Sequence, residues 1–353
     1  MKILFITRHY FPDVGGIEQN IAKVSEFLKD RHEVRVLTVS REGSPANETI
    51  EGVTVLRRGF REFLSFNLKD HDAVFLENFN LLPHLFVMVN VIKDSLRKKR
   101  NYRLFFVPHG GFTPYWPMFN LSARLVKKLA HRFIGLPFIN KYADKVIAVS
   151  NWEEGILKQS GINRPITLIR NGVELRQSKD SEKENFFVFI GRIDAIKNIE
   201  EIIRTFKIIS DDQDFQNHEL KIIGNFQSNK DYYNQLRECV LKNNLIDKVK
   251  FLGEKRGEEK YKILAKAECL FCLSHFESDS LVIKEAFSVR TKVCINTNAA
   301  LNDYKHERNI FIKEQPEIDL KKFRLFLAKP FESNIEIPLI SWESVAKKYE
   351  HNL

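Results

Sequence analysis

Two glutamates eight positions apart, Glu277 and Glu285, stand in the run LSHFESDSLVIKEAF, and an earlier segment, FIGRIDAIKN, carries Arg192 and Lys197 just past Gly191. A guanidinium and an ammonium near a glycine turn suit a diphosphate. An ionised carboxylate is acceptor-only, so it suits the paired hydroxyls of a ribose or a hexose. A site that held both sets could take a nucleotide-sugar. Further candidates lie upstream. Gly15 and Gly16 sit where a first strand enters a helix, a place where backbone can approach an anion, although an ordinary tight turn would look the same. His109 follows the strand RLFFVP and precedes two glycines, so it could touch a substrate; many single histidines are only structural. Asn171 opens the Asn-Gly turn of NGVE. Two Asp-x-Asp strings, at Asp70–Asp72 and Asp212–Asp214, read as solvated acids at a strand entrance and a helix end, so neither is expected to ligate a cation, and no metal is called for. Cys269 and Cys272 form a Cys-x-x-Cys inside an apolar strand, which would send them to opposite faces of a sheet as core residues.

The elements that position these residues alternate as short apolar runs and longer helical patterns, the signature of parallel βαβ units. The runs KILFIT, EVRVLTV, VTVLR, AVFLE, RLFFVP, KVIAVS and ITLIR come first, with helices expected near 17–30, 82–100, 119–142 and 151–160. Their near-continuous Val, Ile, Leu and Phe content is that of strands covered on both faces. The charged stretch ELRQSKDSEKEN (174–185) reads as a linker. The pattern then restarts with FFVFIG, LKIIG, KVKFLG, ECLFCLS and KVCIN, and with helices expected over 197–210, 231–244, 257–267 and 281–289. The expected class is therefore α/β, with two Rossmann-like doubly wound domains and a cleft between them, divided as 1–175 and 176–339. Ligands of such sheets sit beyond the carboxyl ends of the strands, which is where the candidate residues fall.

Composition narrows the class. At 353 residues, 43% hydrophobic and 29% charged, the chain has the make-up of a globular protein of about two domains. Its four cysteines are too few for a disulfide framework. No stretch approaches the ~18 unbroken apolar residues of a membrane span. MKILFITRHYF reads as a first strand rather than a cleaved leader, so a cytoplasmic location is expected. Residues 1–178 hold 27 Lys+Arg against 17 Asp+Glu, while the remainder holds 29 of each, so the whole +10 excess lies in the first half. That asymmetry fits equally an ordinary solvated basic surface or an anionic partner, such as a membrane surface or a lipid-phosphate acceptor; no nucleic-acid motif is present. The stretch NLSARLVKKLAHRFIGLPFINKY (120–142) alternates cations with Leu121, Leu125, Leu129 and Phe133. Two readings fit it: a surface helix packing its apolar stripe on the sheet, which is favoured, or a helix lying on an anionic bilayer at the inner face of the membrane.

Six motifs in order, GGIE (15–18), VPHG (107–110), ADKVIAVSNWEEG (143–155), IRNGVE (169–174), GRIDAIKN (191–198) and ESDSLVIKEAF (277–287), resemble those of glycosyltransferase family 4, retaining enzymes of the two-domain GT-B fold, over essentially the whole chain. ISWESVAKKYEHNL resembles the family's terminal helix, which would cross back at about 340–353 onto the first domain. The resemblance implies an acceptor site in the first domain and a nucleoside-diphosphate sugar, UDP- or GDP-linked, in the second. Arg192 and Lys197 would bind the diphosphate with Gly191, Glu285 would hold the ribose, and Glu277 would meet the transferred sugar. Ser278, Asp279, Ser280, Leu281 and Val282 would line the donor, Gly16 and Asn171 would approach it from the first domain, and His109 would lie near the reacting carbon. No cofactor beyond the sugar nucleotide is implied, and the product would be a surface polysaccharide built on a glycan or lipid-linked acceptor. Three departures stand out: ESDS replaces the usual Glu-Gly-Phe-Gly and sets the Asp279 charge beside the sugar, Arg290 replaces a glycine before KVCIN, and Ala299-Ala300 replace a Gly-Gly pair. They keep open a catalytically weak sugar-nucleotide-binding partner subunit; a GT-B epimerase also shares the architecture. A dinucleotide-dependent oxidoreductase would need a Gly-x-Gly-x-x-Gly turn, which neither GGIEQN nor GRIDAI supplies.

Overall fold

The computed structural model describes residues 1–12, 15–78, 81–112, 120–176, 181–297, 299–314 and 316–353. The chain divides into two compact units, one made of residues 1–172 with 340–353 and the other of 173–339. Part of the expected linker, 177–180, lies outside the described residues.

The first unit runs β1 (Lys2–Ile6), α1 (Gly16–Leu28), β2 (Glu33–Val39), β3 (Asn47–Ile50), β4 (Val53–Arg58), β5 (Ala73–Glu77), α2 (Leu81–Leu96), β6 (Arg103–Val107), α3 (Leu121–Ala130), α4 (Leu136–Tyr142), β7 (Lys145–Ala148), α5 (Asn151–Gln159) and β8 (Ile166–Leu168). Its eight-stranded sheet has the order β3-β4-β2-β1-β5-β6-β7-β8. All described pairings in it are parallel except the β3–β4 hairpin. That hairpin turns at Glu51 and Gly52, both at positive φ, the backbone of a tight two-residue turn. Periodicity misses β3 because its four residues, NETI, carry almost no apolar signal. The chain reverses direction across the sheet between β1 and β5, so the crevice beyond their carboxyl ends is the natural ligand position.

The second unit runs β9 (Glu184–Ile190), α6 (Ile199–Ser210), β10 (Glu219–Ile223), α7 (Lys230–Lys242), β11 (Val249–Gly253), α8 (Gly257–Lys266), β12 (Ala267–Cys272), α9 (Leu281–Ser288), β13 (Lys292–Asn296), β14 (Ile310–Lys313) and α10 (Leu320–Ala328). The sheet order is β11-β10-β9-β12-β13-β14, every described pair parallel. Alternation along β9 sends Phe187 and Phe189 to one core face and Phe186 and Val188 to the other. Helix α6 buries Ile199, Ile202, Ile203, Phe206 and Ile209, spaced as one stripe of a helix. Each such side chain stabilises the unit by roughly 1.5–3 kcal/mol when fully buried. Cys269 and Cys272 fall in the two opposite cores and are free thiols, with burial and then the Glu277 charge pushing Cys272 up to about 12.

A last helix, α11 (Trp342–His351), belongs to the first unit and completes its core. Tyr349 is buried with its ring 5.5 Å from that of Phe75 and 6.4 Å from that of Phe5. Glu350 pairs with Arg31 and His32 at 2.9 Å each. A Cβ on Gly172 would lie 2.7 Å from the Trp342 ring, so only glycine permits that contact. Among the described residues no helix is long and apolar enough to cross a membrane.

Candidate active site

In the second unit the chain reverses between β9 and β12, and the loops beyond those strands are stitched together. The Ile196 carbonyl accepts from His275 N–H at 2.8 Å, and the Asn198 amide donates to the Leu273 carbonyl at 3.1 Å. Asn296, the last residue of β13, donates to the carbonyls of Leu273 and Ser274. Gly191 closes β9 with its N–H on the Ile223 carbonyl. A side chain at Gly224 would meet the Gly191 carbonyl at 2.2 Å, so a glycine lets the end of β10 sit against this loop. Helix α6, expected over 197–210, begins two residues later, after a separate turn. Asp194 caps a short 3-10 turn over Ala195–Lys197, Asn198 turns left-handed at φ 52°, and α6 starts at Ile199.

The two cations of that loop are held differently. Lys197 Nζ lies 2.5 Å from Glu277 Oε1, whose carboxylate also accepts from Ser274 Oγ at 2.8 Å. Arg192 is 57% exposed, with its guanidinium 3.4 Å from Asp194. The second carboxylate, Glu285, is buried on α9 and pairs with Lys260 of α8 at 2.6 Å. Ser280 stands at the cap position just before α9, Leu281 and Val282 are half-buried in its first turn, and Ser278 is half-buried in the loop before it. Asp279 departs from expectation. Its carboxylate turns inward, 2.5 Å from Lys284 Nζ and 3.0 Å from the Tyr304 hydroxyl. Both members of the Asp279–Lys284 pair are sealed from solvent, so Asp279 anchors the loop rather than setting a charge beside a sugar. Lys284 and Tyr304 thus hold the ESDS turn in one shape, and none of its four residues takes the positive φ that would call for glycine. Arg290 adopts φ 58°, the left-handed backbone that favours glycine, and its guanidinium covers the Phe331 ring at 5.2 Å and donates to Ser333 Oγ at 3.0 Å. The side chains of Ala299 and Ala300 lie outside the described residues.

In the first unit the carboxyl ends of β1, β5 and β6 assemble a second cluster. Gly16 is the first residue of α1, and Glu18 folds back to accept from the Gly15 N–H at 2.8 Å, closing the helix start. His109 stands beyond β6 at φ 48°, its Nε2 2.6 Å from Glu77 Oε2 at the end of β5. Glu153 accepts from the N–H groups of Gly110 and Val149. Burial opposes a charged His109 ring, but the Glu77 hydrogen bond, then the charges of Glu77, Glu153 and Glu18, outweigh it and raise the pKa above the ordinary value. Asn171 is buried and accepts from the Asn20 side chain at 2.6 Å. Thus Gly191, Arg192, Lys197 and residues 277–282 gather in one unit with Glu285 close by on α9, while Gly16, His109 and Asn171 gather in the other.

Several functional neighbours escape sequence reasoning. Glu77 ends the otherwise apolar strand AVFLE, and Ser150 with Glu153 forms a Ser-x-x-Glu helix start, signals that could have found both. Lys260 and Lys284 carry no such signal, since a lysine on a helix usually faces water. Asp212 and Asp214 both pair with Arg324, at 2.8 and 2.7 Å.

The family described as Glycosyltransferase Family 4 matches residues 14–177, and that described as Glycosyl transferases group 1 matches residues 173–319. The chain belongs to glycosyltransferase family 4. No curated protein matches it in sequence. Among solved structures it is similar to sucrose-phosphate synthase from Thermosynechococcus elongatus, with TM-score 0.77 and 18% identity over 99% of this chain and 98% of that one. Anabaena HepE in complex with UDP-glucose gives TM-score 0.76 and 15% identity over 100% and 99%. An Escherichia coli structure described as trehalose-6-phosphate bound with UDP-2-fluoro glucose gives 0.61 and 11% over 100% and 96%. These likenesses are of fold: the two α/β units of this glycosyltransferase are those of GT-B proteins.

Proposed function

We propose that this family 4 glycosyltransferase takes a nucleoside-diphosphate sugar and transfers the sugar with retention to a glycan or lipid-linked acceptor, in the building of a surface polysaccharide. The observation that carries the reading is the pairing of Lys197 with Glu277 at 2.5 Å beyond β9 and β12, with the Arg192 guanidinium exposed on the same loop. An ammonium has three donors. Lys197 can keep one on Glu277 and turn the others to a phosphate, while Arg192 offers a planar fork to the same group. Two cations stabilise the negative charge that develops as the bond between the anomeric carbon and the phosphate oxygen breaks. The acceptor oxygen then bonds to that carbon on the face the phosphate leaves, and its proton passes to the departing phosphate oxygen. The products are the glycoside and a nucleoside diphosphate. Glu285, kept in place by Lys260, serves the ribose hydroxyls, and Glu277 serves the transferred sugar; Glu77 fixes the His109 ring that the family resemblance assigns to the reacting end of that sugar.

UDP-glucose is the first donor to try, because HepE is described in complex with it. Thermal unfolding against a panel of UDP-, GDP- and other nucleotide-sugars tests the reading. At one hundred times its dissociation constant, the true donor stabilises the fold by about 2.7 kcal/mol. Arg192→Ala and Lys197→Ala should each lose most of that shift, and full shifts in both variants would remove the proposal. The anomeric configuration of the product, read by NMR, tests retention.

A further inference from the structure

Helix α3 is built inside out. Its start is firmly capped, Asn120 accepting from the Ala123 N–H at 2.8 Å, so the helix itself is well formed. Its inward side carries Lys127, Ala130 and His131. Burial lowers Lys127 to about 8, and burial, then the Lys127 charge, lowers His131 to about 4, its ring stacked on Phe112 at 4.5 Å. The outward side carries Leu121, Leu125, Val126 and Leu129, and the following turn adds Phe133 and Ile134, all exposed, Leu121 to 83% and Phe133 to 70%. The favoured expectation, a stripe packed on the sheet, therefore fails: the apolar stripe faces away from the protein. An apolar patch of this size on a folded protein marks a surface that something else covers.

Charge says what covers it. Between Asp94 and Asp144 the chain has no acidic residue and ten Lys+Arg, a number equal to the whole formal excess of +10. Arg124, Lys128 and Arg132 recur every fourth residue along one flank of the exposed apolar stripe. A second copy of this chain would bring like charge against like. Nucleic acid would answer the cations but give the leucines and Phe133 nothing to bury in. We propose that α3 and the turn after it dock on an anionic lipid bilayer, with the apolar stripe entering the acyl boundary and Arg124, Lys128 and Arg132 meeting lipid phosphates. The long stems of those cations let their heads reach the phosphates while the stripe sits deeper. The proposal goes beyond the donor chemistry and stands apart from it, since lipid binding is read with no nucleotide present.

The test is flotation of the full chain at low salt with vesicles of phosphatidylcholine alone and of phosphatidylcholine with phosphatidylglycerol. The protein should rise with the anionic vesicles only, and added salt should release it. Leu125→Ser with Phe133→Ser, and separately Lys128→Glu with Arg132→Glu, should each weaken vesicle binding about tenfold or more. These four side chains are exposed, so thermal unfolding should stay where it is, and it is measured alongside as the fold control. Wild-type protein left behind by anionic vesicles would overturn the proposal, as would double variants that float as well as wild type. It would also fall if the Leu125→Ser, Phe133→Ser pair abolished a concentration-dependent dimer while leaving flotation unchanged, since the stripe would then be a contact between copies.

Discussion

At the same place in their sheets, beyond the strands where the chain reverses, the two units differ in the charge they leave open. In the first, His109 and Glu77 have side chains 2% and 0% exposed, and Glu153 is tied to two backbone N–H groups. In the second, the Asp279–Lys284 pair that anchors the loop is sealed too, but Arg192 stands mostly in solvent and both members of the Lys197–Glu277 pair keep some exposure. A sealed pair is costly to break, because the survivor is left charged without water. A partly open pair contributes little to stability and can regroup around a ligand. The first cluster is thus fixed when the chain folds, and the second keeps cations that a ligand can still recruit.

The strongest way to break this contrast is to cut the sealed pair. Glu77→Ala should destabilise the protein by about 3–5 kcal/mol in urea unfolding. A cost below about 1 kcal/mol would show that the pair is not sealed in solution. In the second unit the same kind of cut should act on binding instead. Lys197→Ala and Arg192→Ala should each weaken nucleoside-diphosphate binding by about a hundredfold, about 2.7 kcal/mol, in calorimetry. Arg192→Ala should leave stability almost untouched, because its side chain is exposed.

A pH series sharpens the same contrast. The folded pKa of His109 lies above the ordinary 6.5. Its contribution is therefore fully present below that value and is lost as pH rises through the higher folded value. Urea unfolding of wild type and His109→Gln between about pH 5 and pH 9 should show wild type losing stability relative to the variant as pH rises. A constant difference would mean that His109 takes up no extra proton on folding. The smallest effect is expected at Arg290. Arg290→Gly relieves a left-handed backbone that costs an L-residue roughly 1 kcal/mol and forfeits the contacts to Phe331 and Ser333, so stability should move by less than about 1 kcal/mol.

The strands that make both switch points were legible because each is a dense apolar run, and each expected strand in the second unit lies within two residues of an observed one. What escaped had weak or misleading local signals. β3 is nearly polar, and β14, four residues long, follows a turn-rich stretch. The expected helix over 119–142 is in fact α3, a π-type turn over His131–Gly135 and α4. Its inside-out orientation was hidden, because periodicity reports that a helix has two faces and not which one looks inward. At the sites, Glu277, Arg192 and Lys197 were visible as types at spacings. Their partners Lys260, Lys284 and Tyr304 were not, since each comes from another element and only the folded chain brings it near. Asp279 was misread for the same reason: without Lys284 and Tyr304 its carboxylate has no cause to turn inward.

The helix Trp342–His351 has a consequence for how the protein is made. Tyr349 and Trp342 plug the core of residues 1–172, yet they leave the ribosome only after residues 173–339. During synthesis the middle unit is therefore the first to have all its parts, and the opening segment must wait, incomplete, for its final piece. An excised fragment ending at residue 172 should likewise expose the greasy slot that the tyrosine fills and clump rather than stay dispersed.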